Sequence, residues 1–168
     1  MIDKIVLSEQ ALIYGKVEMP KGFEINPDQL IVDTYNSLYT KKEFAFSRNW
    51  DRLNTYIRDY VNLKYKMTLI KINTHGHIFR PYYTSELLLE ADLNDLKNSP
   101  DFTLFYGTKV QSCFFKIYYD DNRIKNNYWE IELKNNQFII FPSTNTYTIS
   151  NKQTDNLNFI QKINYNKK

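Results

Sequence analysis

His75-Gly76-His77 is the one pair in this sequence with the residue types and spacing of a cation site, and the chain holds no other histidine. Histidines at i and i+2 on a strand point the same way and can share an ion. A catalytic ion needs a third ligand. Here that must be a carboxylate from the segment that follows, with Asp92 and Asp95 the first candidates and Glu86 and Glu90 the others. Gly76 makes a plain turn with two loop histidines the easier expectation. A second polar cluster, Asp120-Asp121-Asn122-Arg123, fails the calcium-loop pattern: Lys125 and Ile131 stand where a Gly and a Glu are required. It reads as a solvated hairpin turn.

A third set is aromatic. Phe105, Tyr106, Phe114, Phe115, Tyr118, Tyr119, Tyr128 and Trp129 could stack bases or sugars. Alternation puts Phe114, Lys116 and Tyr118 on one face of a strand, and Cys113, Phe115, Ile117 and Tyr119 on the core face. Tyr106, Phe114, Lys116 and Tyr118 are therefore candidate binding residues. Other chemistry lacks its residues. No GxGxxG, GxxxxGK or GxSxG motif occurs, and four glycines cannot supply a phosphate-cradling loop. The single cysteine, Cys113, excludes an internal disulfide and a multi-cysteine zinc site, and its apolar neighbours predict a buried, inert thiol.

The elements that must position these residues are mostly strands. Residues 102–165 break into short runs rich in aromatic and β-branched residues, separated by polar turn residues. Residues 12–19 predict a short first strand, closed by Pro20 and Gly22. Asn26 followed by Pro27 and Gln29 predicts a capped helix with Leu30, Ile31, Tyr35 and Leu38 on one face. Residues 40–46 read as a loop anchored by Phe44 and Phe46. Ser47 starts a second helix whose stripe Trp50, Leu53, Ile57, Tyr60 and Val61 faces a core. Residues 67–72 and 77–83 read as two strands parted by a turn at 73–76. Residues 84–97 fit either a strand or a few helical turns. Asn135-Asn136 predicts a tight turn, because Asn tolerates positive φ.

The 168 residues suit one domain, with a helical segment over about 20–66 and a β core over about 67–165. The formal charge of +3 is too small to imply a nucleic-acid partner by itself. The first residues carry both charge signs and no apolar h-region, and no apolar run approaches a membrane span. The expected class is mainly β (α+β), a jelly roll or double-stranded β-helix of cupin-like form, with two N-terminal helices packed on one sheet.

From Trp50 onward the chain resembles the phage and bacterial branch of the Fe(II)/2-oxoglutarate oxygenases, a double-stranded β-helix family. The likeness rests on Trp50-Asp51-Arg52-Leu53-Asn54-Thr55-Tyr56-Ile57 ahead of the sheet, on 102–108 with 116–121, and on the FIIFPS run at 138–143 followed by 147–149, Asn151 and 155–165. The resemblance implies a metal held by two His and one carboxylate, and a basic residue for the far carboxylate of 2-oxoglutarate. It places the second metal His at Tyr147 and the basic residue near Asn158, and it places the first His-x-Asp shortly before Phe102, where 92–97 holds no His. Tyr147 and Asn158 thereby join the candidate binding set. The stretches 99–103 and 118–123 also resemble small phage proteins.

The resulting expectation is a non-catalytic binding or structural jelly roll, phage-encoded, in a virion or host cytoplasm, with no cofactor and with a protein partner or a second copy of itself. Two alternatives stand beside it. One is a divergent oxygenase using Fe(II) and 2-oxoglutarate through His75, His77 and an acid from 86–95. The other is a single-stranded nucleic-acid or carbohydrate binder that uses the aromatic face.

Overall fold

The structure is a computed structural model, and it describes residues 10–19, 21, 26–40, 48–119, 127–152 and 157–168. Among these described residues eight strands and two α-helices follow in the order β1 (Ile13–Lys16), α1 (Pro27–Thr40), α2 (Arg48–Tyr65), β2 (Leu69–Phe79), β3 (Phe102–Lys109), β4 (Cys113–Tyr118), β5 (Tyr128–Leu133), β6 (Gln137–Pro142), β7 (Tyr147–Ser150) and β8 (Asn158–Lys167). The strands form a large sheet, β1-β6-β3-β8-β2, and a small one, β5-β4-β7. Every pairing is antiparallel. This is the expected double-stranded β-helix, with helices on one face of the large sheet.

Period-2 alternation sorts the side chains of the large sheet into two cores. On one face Leu104, Tyr106, Phe138, Ile140, Phe159, Ile163 and Tyr165 meet Leu53, Ile57 and Val61 of α2. On the other, Phe105, Ile139, Phe141 and Ile160 meet Cys113, Phe115, Ile117, Leu133, Tyr147 and Ile149 of the small sheet. The Phe105 ring sits 4.7 Å from Phe115 and 5.2 Å from Tyr147, so the two sheets interlock through aromatic rings. Each such ring contributes about 1.5–3 kcal/mol through burial. Burial also pushes the Cys113 thiol up to about 12, which makes it inert as expected.

Asn26 caps α1: its Oδ1 accepts the N–H groups of Asp28 at 3.0 Å and Gln29 at 3.3 Å. The Gln29 side chain donates forward to Asp33 at 2.8 Å and does not close a capping box. Ile31 packs on the core, but Tyr35 is 53% exposed, so the expected stripe of α1 is narrower than its spacing predicts. In α2, Tyr60 Oη donates to the Lys16 carbonyl at 2.9 Å and Asn62 Oδ1 accepts the Leu69 N–H at 3.0 Å. These bonds tie the helix to β1 and to the start of β2. Thr40, expected in a loop, closes α1, while the rest of that loop at 41–46, the Ser47 cap, Pro20, Gly22 and the hairpin turn from Asp120 onward lie outside the described residues, as do the side chains of Leu30, Leu38 and Trp50.

Two expectations change. The strands expected at 67–72 and 77–83 are joined in one strand, β2, which runs through the supposed turn at 73–76 with a register shift between Lys71 and Asn73 and ends at Phe79, so 80–83 lie beyond it. Pairing with β8 is what straightens it: Gly76 lies opposite Gln161, and Thr74 Oγ1 donates to the Lys162 carbonyl at 3.1 Å. Residues 84–91 are extended and run beside β7, through bridges Thr84–Ser150 and Leu88–Tyr147. A 3-10 turn, Leu96–Asn98, follows. The ambiguity over 84–97 resolves as an irregular strand plus one short turn. Asn136 adopts φ 61°, as its tight turn requires.

Asn158 is a structural anchor at the head of β8. Its Oδ1 accepts the Gln111 N–H at 2.8 Å, a half-buried bond, and its Nδ2 donates to the Ser112 carbonyl at 2.6 Å, a buried one. Asn158→Ala removes the acceptor for the Gln111 N–H and the donor to the buried Ser112 carbonyl, so it should cost about 2 kcal/mol. Urea unfolding checks this as a lowered midpoint with an unchanged slope.

Candidate functional site

The inner face of β8 carries a charge where an apolar residue would be usual. Ile160, Lys162 and Asn164 share that face, and Phe159, Gln161, Ile163 and Tyr165 share the helix side. Lys162 is flanked in register by Phe105 on β3 and His75 on β2. Its side chain is 13% exposed, and so is that of its partner, Glu90. An unpaired charge this deep would cost several kcal/mol, so the pair must be met at both ends.

Glu90 comes from the extended segment beside β7. Reciprocal bonds between Leu88 and Tyr147, 2.8 and 3.0 Å, hold that segment, and the Ala91 N–H donates to the Ser143 carbonyl at 3.1 Å. The Lys162 ammonium donates to both carboxylate oxygens, at 2.9 and 2.7 Å. Tyr147 Oη donates to Oε1 at 2.5 Å, and Asn164 Nδ2 reaches Oε2 at 3.3 Å. Burial alone would raise the Glu90 carboxyl. The bonds from Lys162, Tyr147 and Asn164, with the Lys162 charge, outweigh it and hold the group below its ordinary range. Burial and the adjacent carboxylate push the Tyr147 phenol far up, so it remains a neutral donor.

The two histidines border this cluster. Both lie on the inner face of β2, not in a surface turn as expected, because β2 is continuous. His75 is exposed. The His77 ring stacks parallel on Phe79 at 5.9 Å, and its Nε2 is buried with no hydrogen-bond partner among the described residues. Burial, then the Lys162 and His75 charges, lower His77 to about 4, with Glu90 opposing. His77 is therefore a neutral imidazole near pH 7. The His75 ring, though solvent reaches it, is partly desolvated against the cleft; that and the Lys162 charge lower it, with Glu90 opposing.

The other expected site residues scatter. Asp92 and Asp95 build the turn before β3: Asp92 Oδ1 accepts the Asn94 N–H at 2.9 Å, and the Asp95 carboxylate accepts both bonds from Asn98, at 3.0 and 2.8 Å. The acid that faces the histidines is Glu90. Tyr106 is buried under α2 with its hydroxyl on Asn136 Oδ1 at 2.7 Å, so it cannot face a ligand. Phe114, Lys116 and Tyr118 lie on the outer face of the small sheet. There Lys152 sits 4.0 Å over the Phe114 ring, Lys116 is 3.6 Å from Glu130, and the Tyr118 ring meets Tyr128 at a tilt, 5.7 Å between centroids. Tyr147 alone of the six points into the cleft. The basic side chain of β8 that faces the cleft is Lys162, not the position near Asn158. Sequence reasoning missed Lys162 and Asn164, although the alternation in LNFIQKINY carries the signal.

No family model and no curated protein sequence matches this chain. Solved structures do. A prolyl-4-hydroxylase from Pseudomonas putida aligns over 95% of this chain and 89% of its own, at 8% identity and a TM-score of 0.63. The non-heme alpha-ketoglutarate-dependent epimerase SnoN from nogalamycin biosynthesis aligns over 93% and 77%, at 9% identity and 0.64. HygX from Streptomyces hygroscopicus, with nickel and 2-oxoglutarate bound, aligns over 94% and 83%, at 10% identity and 0.58. Identities this low carry the fold, and the fold is that of the 2-oxoglutarate, iron-dependent oxygenases.

The same likeness corrects two expectations. A non-catalytic, phage-encoded structural or binding jelly roll is not what these neighbours point to, because those that share the fold along nearly the whole chain are described as enzymes. The expectation of no cofactor is corrected with it, since neighbours hold a metal with 2-oxoglutarate or alpha-ketoglutarate. Among the described residues no helix is long and apolar enough to cross a membrane.

The cleft supplies the donor chemistry of an iron site, two imidazoles and one carboxylate, in His75, His77 and Glu90. Their arrangement does not fit the ion. Both Glu90 oxygens are engaged by Lys162, and among the described residues no three His, Cys, Asp or Glu side chains stand together to hold a metal.

Proposed function

We propose that this chain is a divergent oxygenase of the 2-oxoglutarate, iron-dependent kind, working in the cleft between its two sheets. The observation that supports it is the cluster Glu90–Lys162–Tyr147–Asn164, with His77 beside it, inside a fold shared with such enzymes. A purely structural jelly roll gains nothing from a nearly buried ion pair at this place; apolar side chains of similar volume would be at least as stabilising. Retained charge in a cleft, with perturbed titration at several neighbours, marks a functional site.

This chain's own residues supply three things. Lys162 is a fixed cation for organic carboxylates. Tyr147 is a phenol that stays protonated and can donate. His77 offers an uncharged ring nitrogen with no hydrogen-bond partner among the described residues. No step is routed through a metal, because the ligands as arranged do not hold one.

The test is turnover without a primary substrate. The protein is incubated with Fe(II), 2-oxoglutarate and oxygen, and succinate is measured. Succinate should rise above the iron-free control and fall to background in His77→Ala. Absence of iron-dependent succinate from the wild type overturns the reading.

A further inference from the structure

The segment that carries Glu90 is out of step with the strand that holds it. At its start Thr84 bridges Ser150, and the Ser85 N–H donates to the Ile149 carbonyl at 2.9 Å. Three residues on from Ser85, Leu88 bridges Tyr147, which is only two residues from Ile149. The segment therefore carries one residue more than β7 over the same span, and Glu86 and Leu87 together oppose Thr148. This is a β-bulge. The Ser85 hydroxyl mends the ladder where it breaks: it accepts the Ile149 N–H at 2.9 Å and donates to the Glu86 carbonyl at 2.8 Å. The extra residue decides which side chains face the core. Ser85 is buried, Leu87 is 61% exposed, and Leu88 packs between the sheets. Glu90, two residues beyond Leu88, is thereby turned toward Lys162.

Without the bulge, Leu87 would oppose Tyr147. A one-residue slip moves every side chain of a strand to the other face, so Leu87 and Leu89 would point inward and Glu90 outward. The run Leu87-Leu88-Leu89 offers Tyr147 a leucine in either register, so the apolar pattern does not choose between them. The Ile149 N–H could then return to the Ser85 carbonyl, its partner in a regular ladder. What holds the bulge is the set of bonds on Glu90, from Lys162, Tyr147 and Asn164. We propose that 84–91 is a two-register strap. With Glu90 on Lys162 it keeps the bulge; when that ion pair is released the bulge is lost, Leu87 replaces Leu88 opposite Tyr147, and Glu90 leaves the cleft. The oxygenase reading gives this switch its purpose, which is to open the cleft to a substrate, but the test does not rest on it.

The experiment follows the reaction of Leu87→Cys and of Leu88→Cys with a maleimide, each with Lys162 intact and with Lys162→Met. The chain's own cysteine, Cys113, is buried and stays silent. Lys162→Met removes the ion pair, so Leu87→Cys should react at least about tenfold more slowly than with Lys162 intact, which requires about nine-tenths of the molecules to take the second register. Leu88→Cys should react faster. Fraying of the strap would speed both reactions, and a fixed strap would change neither; either result overturns the proposal.

A second measurement keeps Lys162. Acetic anhydride labelling of Lys162, read by mass spectrometry, should be several-fold slower in Leu87→Asn than in the wild type. An amide opposite Tyr147 penalises the second register and leaves the first untouched, because Leu87 is exposed there. Equal rates overturn the proposal even if Lys162→Met fails to fold. Opposite changes at 87 and 88 in a protein that forms no succinate defeat only the oxygenase reading. Succinate formation without those changes defeats only the switch.

Discussion

Glu90→Leu should destabilise the fold by about 3–5 kcal/mol, the cost of leaving a nearly buried ammonium without its counter-ion. The 13% exposure of each partner sets that scale, since an exposed pair of the same geometry would be worth about 1 kcal/mol or less. The loss is larger than one ion pair implies because Tyr147 Oη and Asn164 Nδ2 lose their acceptor in the same step. The double variant Glu90→Leu/Lys162→Met removes both charges and should recover most of the loss. Urea unfolding of the four proteins gives the coupling directly. If the two single variants simply add in the double variant, the pair is not coupled and the cleft is wetter than its burial indicates.

Gly107→Ala is the second large effect, at about 3 kcal/mol. A Cβ at Gly107 would stand 2.2 Å from the Lys134 carbonyl oxygen and 2.9 Å from its carbon. Both are backbone atoms, so no rotamer relieves the contact and the turn between β5 and β6 must move. The Gly107 carbonyl accepts the Asn136 N–H at 2.8 Å, and that bond fixes the turn residue held at φ 61°. The displaced turn therefore strains a second element, at the upper end of what overpacking costs. Thermal unfolding checks the size of the effect. A spectrum unchanged below the transition would show that the fold itself survives.

Much of the architecture was legible because alternation in short aromatic runs is a local signal. The runs at FIIF, CFFKIY and LNFIQKINY each announce two faces; the structure buries both faces of the first and last in separate cores, and one face of CFFKIY in the core between the sheets. The middle of β2 was not legible. Asn73, Thr74, His75 and Gly76 have the composition of a turn, and what makes them a strand is pairing with β8, which no local window contains. The site suffered from the same blindness. Glu90 sits in a segment whose extended form depends on bonds to β7, and Lys162 resembles any scattered lysine until its neighbours on the alternating face are counted. The carboxylate was within the stretch expected to supply a ligand. That its partner would be an amine of the same chain depends on the geometry of three strands meeting, and composition does not encode it.

The position of β8 has a consequence for how the chain comes together. Thr74 and Lys162, joined across β2 and β8, are 88 residues apart. While the polypeptide is being made, β2 awaits its neighbour and β3 lacks one flank until β8 has been synthesised. Assembly cannot proceed in order from the first strand to the last. It must wait for a late wedge that separates β2 from β3 and brings the lysine in with it. Topologies with such distant pairings fold in milliseconds to seconds, not microseconds. For this protein the step that completes the large sheet is also the one that first brings the cleft's opposite charges together.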